Sequence, residues 1–590
     1  MHNIYAYLLN IVLDAPSFLQ RMAEHTGVTC PKALAQLMQL GLDSGDLKLA
    51  RIGAGKDARL FVSNGAITRK GMDVSRLVRD PEAIRRRSME PSGSIMGRPL
   101  SAEYSLAVNY LSQQWFRPNA SILATARELV AKGDYFDPRN DRMDLLCIGE
   151  FNNFGEDEYL LPMFPDSRYR IYTDSSGIAS YQGGDMHRAI CDFAEAKAVT
   201  DDDIHYALAA FEAEYGVTES NYREIISNPA GFIVEGGFGK KPWCTLRHAF
   251  AVDEMIRLRR TAVIFQQDQT NSGGALYAWL TGDRSLARLT NFLPSSEKQD
   301  LYGAAGQLVE AAGLLPVEAA GETQFTSRQM GKAFIIPMIY GAANASQTKG
   351  LFLKDAQNTP LSIIDDTGCY IPGSLESIPA DKLNPKHIEF LRGLGWAKAV
   401  RVGSQIASAY EQAMFGSARV KGLTSRLRPA MVAIKAAARA THRAGGLLQW
   451  TSPSGCSVTS RKFRVDTDAD LQTVDISHDG GRNRISFAPV IEYGSEAAAP
   501  PNVIHSLDAS VVHKVAVRCA QADIALAPIH DSFGTHVRDA RQVKDYVRDS
   551  ICEIPQDFLD TQILGPAQVQ TLNYDGLDIN EFRKAEHFLG

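Results

Sequence analysis

ADIALAPIHDSFGTH, residues 522–536, carries an aspartate, Asp531, just beyond an apolar run. The run has the length and composition of a buried strand, and His530-Asp531 stands where the chain is expected to turn. A carboxylate in such surroundings costs free energy unless a cation meets it. Hydrolysis by His530, Asp531 and Ser532 as a triad is excluded, because three neighbours in an extended chain cannot converge on one point. The fold is decided by what else in the chain reaches Asp531.

FQQDQTNSGGALYAWLTGD, residues 265–283, offers a partner. Asp268 ends the apolar β-type run TAVIF and precedes a Gly273-Gly274 turn into a helical pattern. Taken alone, Asp268 reads as a helix N-cap. If it meets Asp531, the two carboxylates repel unless divalent cations lie between them. Oxygen ligands favour Mg²⁺, and paired ions of this kind serve in-line phosphoryl transfer. A third stretch, SRQMGKAFIIPMIYGAAN (327–344), places Arg328 and Lys332 four residues apart, on one helical face with Ile336 and Tyr340. Without an intervening acid this pair suits a triphosphate, arginine as a fork and lysine as a point charge. In isolation it is also an ordinary surface pair. Pro337 lacks the amide that would bond the Ala333 carbonyl, so the helix is expected to kink or end there.

The chain has 590 residues, enough for several cores, with 45% hydrophobic and 22% charged residues. Its net charge of −6 hides a basic stretch, Lys398 to Arg443, where nine Lys and Arg face Glu411 alone. That stretch suits either a solvated face or phosphate contact. Eight scattered cysteines form no CxxC pair and suit a reducing compartment rather than a zinc site. YAYLLNIVL, near the start, is too short and too interrupted for a signal peptide or membrane span. Helical patterning dominates. A helix-plus-hairpin module is expected over the first ~80 residues, a linker at IRRRSMEPSGSIMGRP, and one long amphipathic helix from Ala102 to Val130. Helices are expected from Tyr340 to about Gly446, then strands. ISHDGGRNRISF (476–487) reads as a protruding hairpin. Its Arg482, Asn483 and Arg484 could read base edges, or form a solvated turn.

Together these motifs resemble the single-subunit, phage-type and mitochondrial-type DNA-directed RNA polymerases. The resemblance covers roughly 104–590. It includes an Arg-x-Arg element (Arg168, Arg170), Asp268, NFLPSSEKQDLYG with Tyr302, Arg-x₃-Lys-x₇-Tyr-Gly (Arg328, Lys332, Tyr340, Gly341), WTSPSG at Trp450, APPNVIHSLDA with His505, and His-Asp-Ser. It implies an α+β, mainly helical right-hand polymerase fold. The parts would be a small N-terminal domain and linker (1–100), a helical region with reduced thumb (101–165), palm (166–290 and 505–590) and fingers (291–504), with a promoter-reading hairpin at about 462–498.

The resemblance also implies roles. Asp268 and Asp531 would hold two Mg²⁺ ions with the Gln269 carbonyl, and His530 would support the metal aspartate. Arg328 and Lys332 would grip the triphosphate, and Tyr340 would favour ribose. Tyr302 and His505 would line the nucleotide pocket, and Arg168 and Arg170 would grip the template–transcript duplex. Partners would be DNA template and promoter, nascent RNA and nucleoside triphosphates, with no membrane.

Repair-type DNA polymerases share the Arg-x₃-Lys-x₇-Tyr-Gly spacing, but carry a glutamate where this chain has Gly273 and end in His-Asp-Glu rather than with Ser532. Both differences favour ribonucleotides. A non-catalytic, nucleic-acid-binding homologue is the remaining reading. Only about 165 residues precede the Arg-x-Arg element, and no transit-like start is present. These features lead to the expectation of a phage enzyme in the host cytoplasm, delivered to open DNA by a DNA-binding recruitment factor.

Overall fold

The computed structural model describes residues 100–342, 363–365, 368–370 and 396–589, apart from brief interruptions at 134, 137–140, 156, 162, 174–177, 240, 467 and 479–480, together with parts of 13–64. Helices joined by small antiparallel sheets make it an α+β protein. At the N-terminal end, helix α1 (Pro31–Asp43) is followed by antiparallel strands β1 (Leu47–Ile52) and β2 (Arg59–Asn64), as the sequence leads one to expect. The proposed linker lies outside the described residues.

The stretch 102–130 is two helices, not one. α2 (Ala102–Leu111) and α3 (Ala120–Lys132) flank a strand, Trp115–Pro118. The aromatic pair Trp115-Phe116 favours extended backbone, and the strand is paired on both edges, with Tyr159–Leu160 and Cys191–Phe193. Asn119 then restarts the helix, its side chain accepting the Ile122 amide at 3.0 Å.

Strand β3 (Phe265–Asp268) leads into α4 (Ser272–Thr281), followed by α5 (Leu301–Ala311) and α6 (Arg328–Ile339). Pro337 sits inside the last turn of α6, which continues through it to Ile339. Tyr340 caps the helix, Gly341 takes φ +77°, and the Ala342 amide returns to the Pro337 carbonyl at 2.9 Å. The stretch beyond, expected to be helical, contains a strand pair, Ile363–Asp365 with Gly368–Tyr370, before helices α7 (Trp396–Phe415) and α8 (Leu427–Arg443). The expected strand-rich stretch follows, including β4 (Gln472–His478) and β5 (Gly481–Phe487), which form the hairpin read from ISHDGGRNRISF. Helix α9 (Ala499–Ala522) then leads to β6 (Ala527–Ile529) and β7 (Ser532–Thr535).

Among the described residues two apolar clusters organise these elements. The large one runs from Tyr104 to Leu589, with α9 packed against α2, α4 and α8. The small one joins Leu34, Met38 and Leu42 of α1, and Phe18, Leu19 and Met22 before it, to Val474, Ile476, Ile485 and Phe487 of the β4–β5 hairpin.

Candidate active site

β7 is buried along its length and lies between β3 and β6, in the sheet order β3-β7-β6. Its register sets Asp268 opposite Ser532. The β6–β7 connection is the two-residue turn His530-Asp531, with His530 in the left-handed region at φ 55°. The Gln269 amide donates to the Asp531 carbonyl at 3.2 Å, closing the gap between the two aspartate-bearing segments. Two carboxylates remote in sequence thus occupy adjacent strand ends. Asp268 keeps an opening to solvent, yet burial and then the charge of Asp531 push its carboxyl up to about 6. Asp531 is also raised, by burial and by Asp508, against the Ser272 hydroxyl that donates to its Oδ2 at 2.6 Å. Asp268 is not a helix cap. Asn271 caps α4, at φ 50°, with its side chain accepting the Gly274 amide at 3.0 Å.

The cationic helix α6 starts at Ser327, whose hydroxyl accepts the Met330 amide. Lys332 is exposed, and its charge favours the ionised form of Asp268. Arg328 has an acid beside it that local spacing did not reveal. Its Nε donates to Asp300 Oδ2 at 2.8 Å, and its guanidinium lies 5.5 Å from the Tyr302 ring centroid. Burial raises the Tyr302 phenol to about 12. Both Asp531 and Asp268 add to that shift, which ties the tyrosine electrostatically to the carboxylate pair.

Tyr340 follows α6 and meets Gly273 at the start of α4. A Cβ at Gly273 would stand 2.7 Å from the Tyr340 hydroxyl oxygen and 3.0 Å from its Cζ. The Tyr340 ring lies 4.8 Å from that of His505 on α9. The Gly341 carbonyl accepts from Lys435 of α8 at 3.1 Å. His505 is neutral, pushed down to about 2 by burial and then by Arg170 and Arg168. Arg168 Nη1 lies 2.7 Å from His505 Nδ1. A guanidinium only donates, so Nδ1 accepts and the ring proton sits on Nε2.

Arg168 also binds Asp166. The fork of Arg170 is occupied by Asp508, with Nε to Oδ1 at 3.0 Å, both side chains being largely buried. Arg170 therefore fastens the turn between Met163–Pro165 and Ile171–Thr173 to α9. His530 packs edge-on against Tyr172 at 4.8 Å and is held neutral, near 4, mainly by burial.

Ser272, Asp300 and Asp508 were not singled out from the sequence. Asp508 is three residues from His505 in IHSLDA, and that helical spacing is the signal that could have found it. Arg484 pairs with Asp475 across β4–β5, Nε to Oδ1 at 3.1 Å, while Arg482 and Asn483 stand opposite Ser477 and Ile476.

Among the described residues no three His, Cys, Asp or Glu side chains gather into a metal-binding cluster. The Asp268–Asp531 pair fits Mg²⁺, which commonly takes one or two carboxylates and completes its shell with water and phosphate. Also among the described residues, no helix is long and apolar enough to cross a membrane.

The family model of the DNA-dependent RNA polymerases matches residues 236–564, which include both aspartates, α6 and α9. The mitochondrial DNA-directed RNA polymerase of Schizosaccharomyces pombe is 22% identical over 435 residues, covering 67% of this chain and 34% of that protein. The mitochondrial enzyme of Neurospora crassa is 21% identical over 443 residues, covering 68% of this chain and 31% of that protein. DNA-directed RNA polymerase 2, chloroplastic/mitochondrial, of Arabidopsis thaliana is 33% identical over 110 residues, covering 18% and 10%. The chain thus spans about a third or less of these relatives' length.

Proposed function

This chain belongs to the DNA-dependent RNA polymerase family, and from that membership we propose that it synthesises RNA on a DNA template, joining ribonucleotides to an RNA 3′-hydroxyl and releasing pyrophosphate. The observation that carries the reading is the pairing of β3 with β7, which sets Asp268 beside Asp531, with Lys332 of α6 near enough for its charge to act on Asp268. In this reading the β3-β7-β6 sheet belongs to the palm (166–290 and 505–590) of a right-hand fold. The fingers are 291–504, a reduced thumb lies in 101–165, and a small domain occupies 1–100.

Asp268 and Asp531, with the Gln269 carbonyl, would hold two Mg²⁺ ions. When bound, these supply positive charge that acidifies the 3′-hydroxyl and stabilises the leaving pyrophosphate. The chain's own residues do the rest. Lys332 and the free end of the Arg328 guanidinium draw the triphosphate onto α6. The Ser272 hydroxyl fixes one oxygen of Asp531, so that carboxylate keeps a single orientation.

Tyr340 lies across Gly273, and its phenol takes up the space that a side chain at that position would need. That geometry weighs against a deoxyribonucleotide-selective relative, in which a glutamate would fill the space. Neutral His505, pinned by Arg168, walls the pocket behind Tyr340. Both arginines are engaged within the protein, Arg168 with Asp166 and His505 and Arg170 with Asp508, and Arg168, the more exposed of the two, is the one we assign to nucleic acid. The β4–β5 hairpin, with Arg482, Asn483 and Arg484, is the element assigned to promoter DNA.

Extension of a primed DNA template in Mg²⁺ tests the reading. Ribonucleotides should be incorporated in preference to deoxyribonucleotides, and Asp531→Asn should still bind the primed template while extending none of it. Preferential deoxyribonucleotide incorporation, or an active Asp531→Asn, overturns the proposal.

A further inference from the structure

Asp300 is fixed at both of its oxygens. Oδ1 accepts the Tyr302 amide at 3.2 Å and so caps α5, while Oδ2 accepts Arg328 Nε at 2.8 Å. The backbone around it allows this. A Cβ at Gly303, one turn into α5, would come within 2.7 Å of Oδ2 and disturb the carboxylate. Gly331 of α6 rests on the Tyr302 backbone, where any side chain would run into the Tyr302 carbonyl, so α5 and α6 sit close enough for Asp300 to bridge them. Arg328 also lies over the Tyr302 ring, which defines the second side of its seat. Among the described residues this guanidinium hydrogen-bonds through Nε, and its side chain is 63% exposed, so the Nη groups are available to a ligand.

An unanchored arginine loses rotamer freedom when it grips a ligand, and that loss weakens binding. Here Asp300 and Tyr302 hold the guanidinium in place beforehand, with its two amino groups forward. Gly331, the neighbour of Lys332 on α6, lies against the backbone of this tyrosine, and Asp531 and Asp268 both act on its phenol, which puts the seat beside the carboxylate site. We propose that Asp300 is a positioning residue for nucleotide binding: its carboxylate holds the Arg328 guanidinium over Tyr302, so that the Nη groups meet the triphosphate in a fixed orientation. This rests on the polymerase reading and adds a residue to it. The carboxylate is too close to the arginine for its effect to be neutral. Either it orients the cation or it competes with phosphate, and the observed geometry, in which Asp300 engages Nε and no described residue hydrogen-bonds the Nη groups, points to orientation.

The test measures KM for ribonucleotides in primed extension, and in parallel the Kd for ATP with Mg²⁺ by equilibrium dialysis. The proteins are wild type, Asp300→Ala, Asp300→Asn, Arg328→Ala and the Asp300→Ala/Arg328→Ala double variant. Loss of a charge-assisted anchor should raise KM and Kd about tenfold in Asp300→Ala, with the change confined mainly to KM. Asp300→Asn keeps an acceptor for the Tyr302 amide and should fall between wild type and alanine, with an unchanged circular-dichroism melting curve. Arg328→Ala should weaken binding at least as much, and the double variant should match Arg328→Ala within about twofold, because both act through one contact. Effects of Asp300→Ala and Arg328→Ala that multiply would assign Asp300 to helix capping alone and overturn the inference. Tighter nucleotide binding in Asp300→Ala would overturn it by showing competition. The dialysis arm separates this from the reading beneath it: a wild type that binds ATP as predicted but extends no primer defeats the polymerase assignment and leaves the Asp300 result standing.

Discussion

At the scale of single residues, two positions carry separable consequences. Gly273 faces the Tyr340 hydroxyl so closely that Gly273→Ala must push the phenol aside. The obstructed atom is the far end of a side chain, so the fold should persist while the pocket shifts. We expect the melting temperature to stay near that of wild type and ribonucleotide extension to fall about tenfold, the usual scale for misplacing a positioning group by a fraction of an ångström. An extension rate equal to wild type would remove Gly273 from the site. His505 gives a pH signature. It packs against the Tyr340 ring, and burial, then Arg170, Arg168 and His530, hold its folded pKa near 2, far below the usual 6.5. A depressed histidine leaves the unfolded chain binding the extra proton, so stability is retained above pH ~6.5 and lost as pH falls. Between pH 6.5 and 4.5 the wild type should lose about 2–3 kcal/mol more than His505→Gln. Parallel denaturant-stability profiles for the two proteins over that range would contradict the assignment of His505 as buried and neutral.

At the scale of elements, the contact between α5 and α6 determines where the cations stand. It is made through glycines: Gly331 against the Tyr302 carbonyl, and Gly306 against that of Thr326. Both obstacles are backbone, which yields less readily than a side chain. Gly331→Ala and Gly306→Ala should each destabilise by about 1–3 kcal/mol, the cost of overpacking a close helix contact. Gly331→Ala should in addition weaken triphosphate binding, because it moves Lys332 and Arg328. Chemical denaturation checks the first expectation and nucleotide Kd the second. Much at this scale was legible in advance. The apolar run before Asp531, the strand ending at Asp268 and the i, i+4 pair on α6 are local patterns with local causes, whereas α6 runs past Pro337 and ends at Tyr340-Gly341. What stayed hidden has non-local causes. Asp300 meets Arg328 only because two glycines let helices approach, and Arg170 is taken by Asp508 from a helix more than 300 residues away. The split at Trp115–Pro118 is hidden because helical periodicity continues on both sides of it, and the weak local preference of Trp115-Phe116 for extended backbone is realised by pairing with Tyr159–Leu160 and Cys191–Phe193.

At the scale of the whole molecule, the link between the N-terminal helix α1 and the β4–β5 hairpin bears on template choice. Gln39 treats the hairpin as a neighbouring strand would: its Nε2 donates to the Ser477 carbonyl at 2.7 Å, and its Oε1 accepts the Ser477 amide at 2.8 Å. Met38 and Leu34 pack on Val474 and Ile476 beside it. Alternation along β4 then leaves Asp475, with Arg484 opposite it, on the outward face. An isolated two-stranded hairpin is marginally stable, so one face of this element is held by α1 while the other is offered to solvent. If the outward face meets promoter DNA, loosening α1 should impair recognition without touching the chemistry at Asp268 and Asp531. Met38→Asp puts a charge into the small apolar cluster and should release the helix. We expect hydrogen exchange of the β4–β5 amides to rise, promoter-dependent synthesis on duplex DNA to fall about tenfold or more, and primed extension to stay within about twofold of wild type. A fall of equal size in primed extension would tie α1 to the catalytic site instead. Unchanged exchange in β4–β5 would mean that the hairpin stands without it.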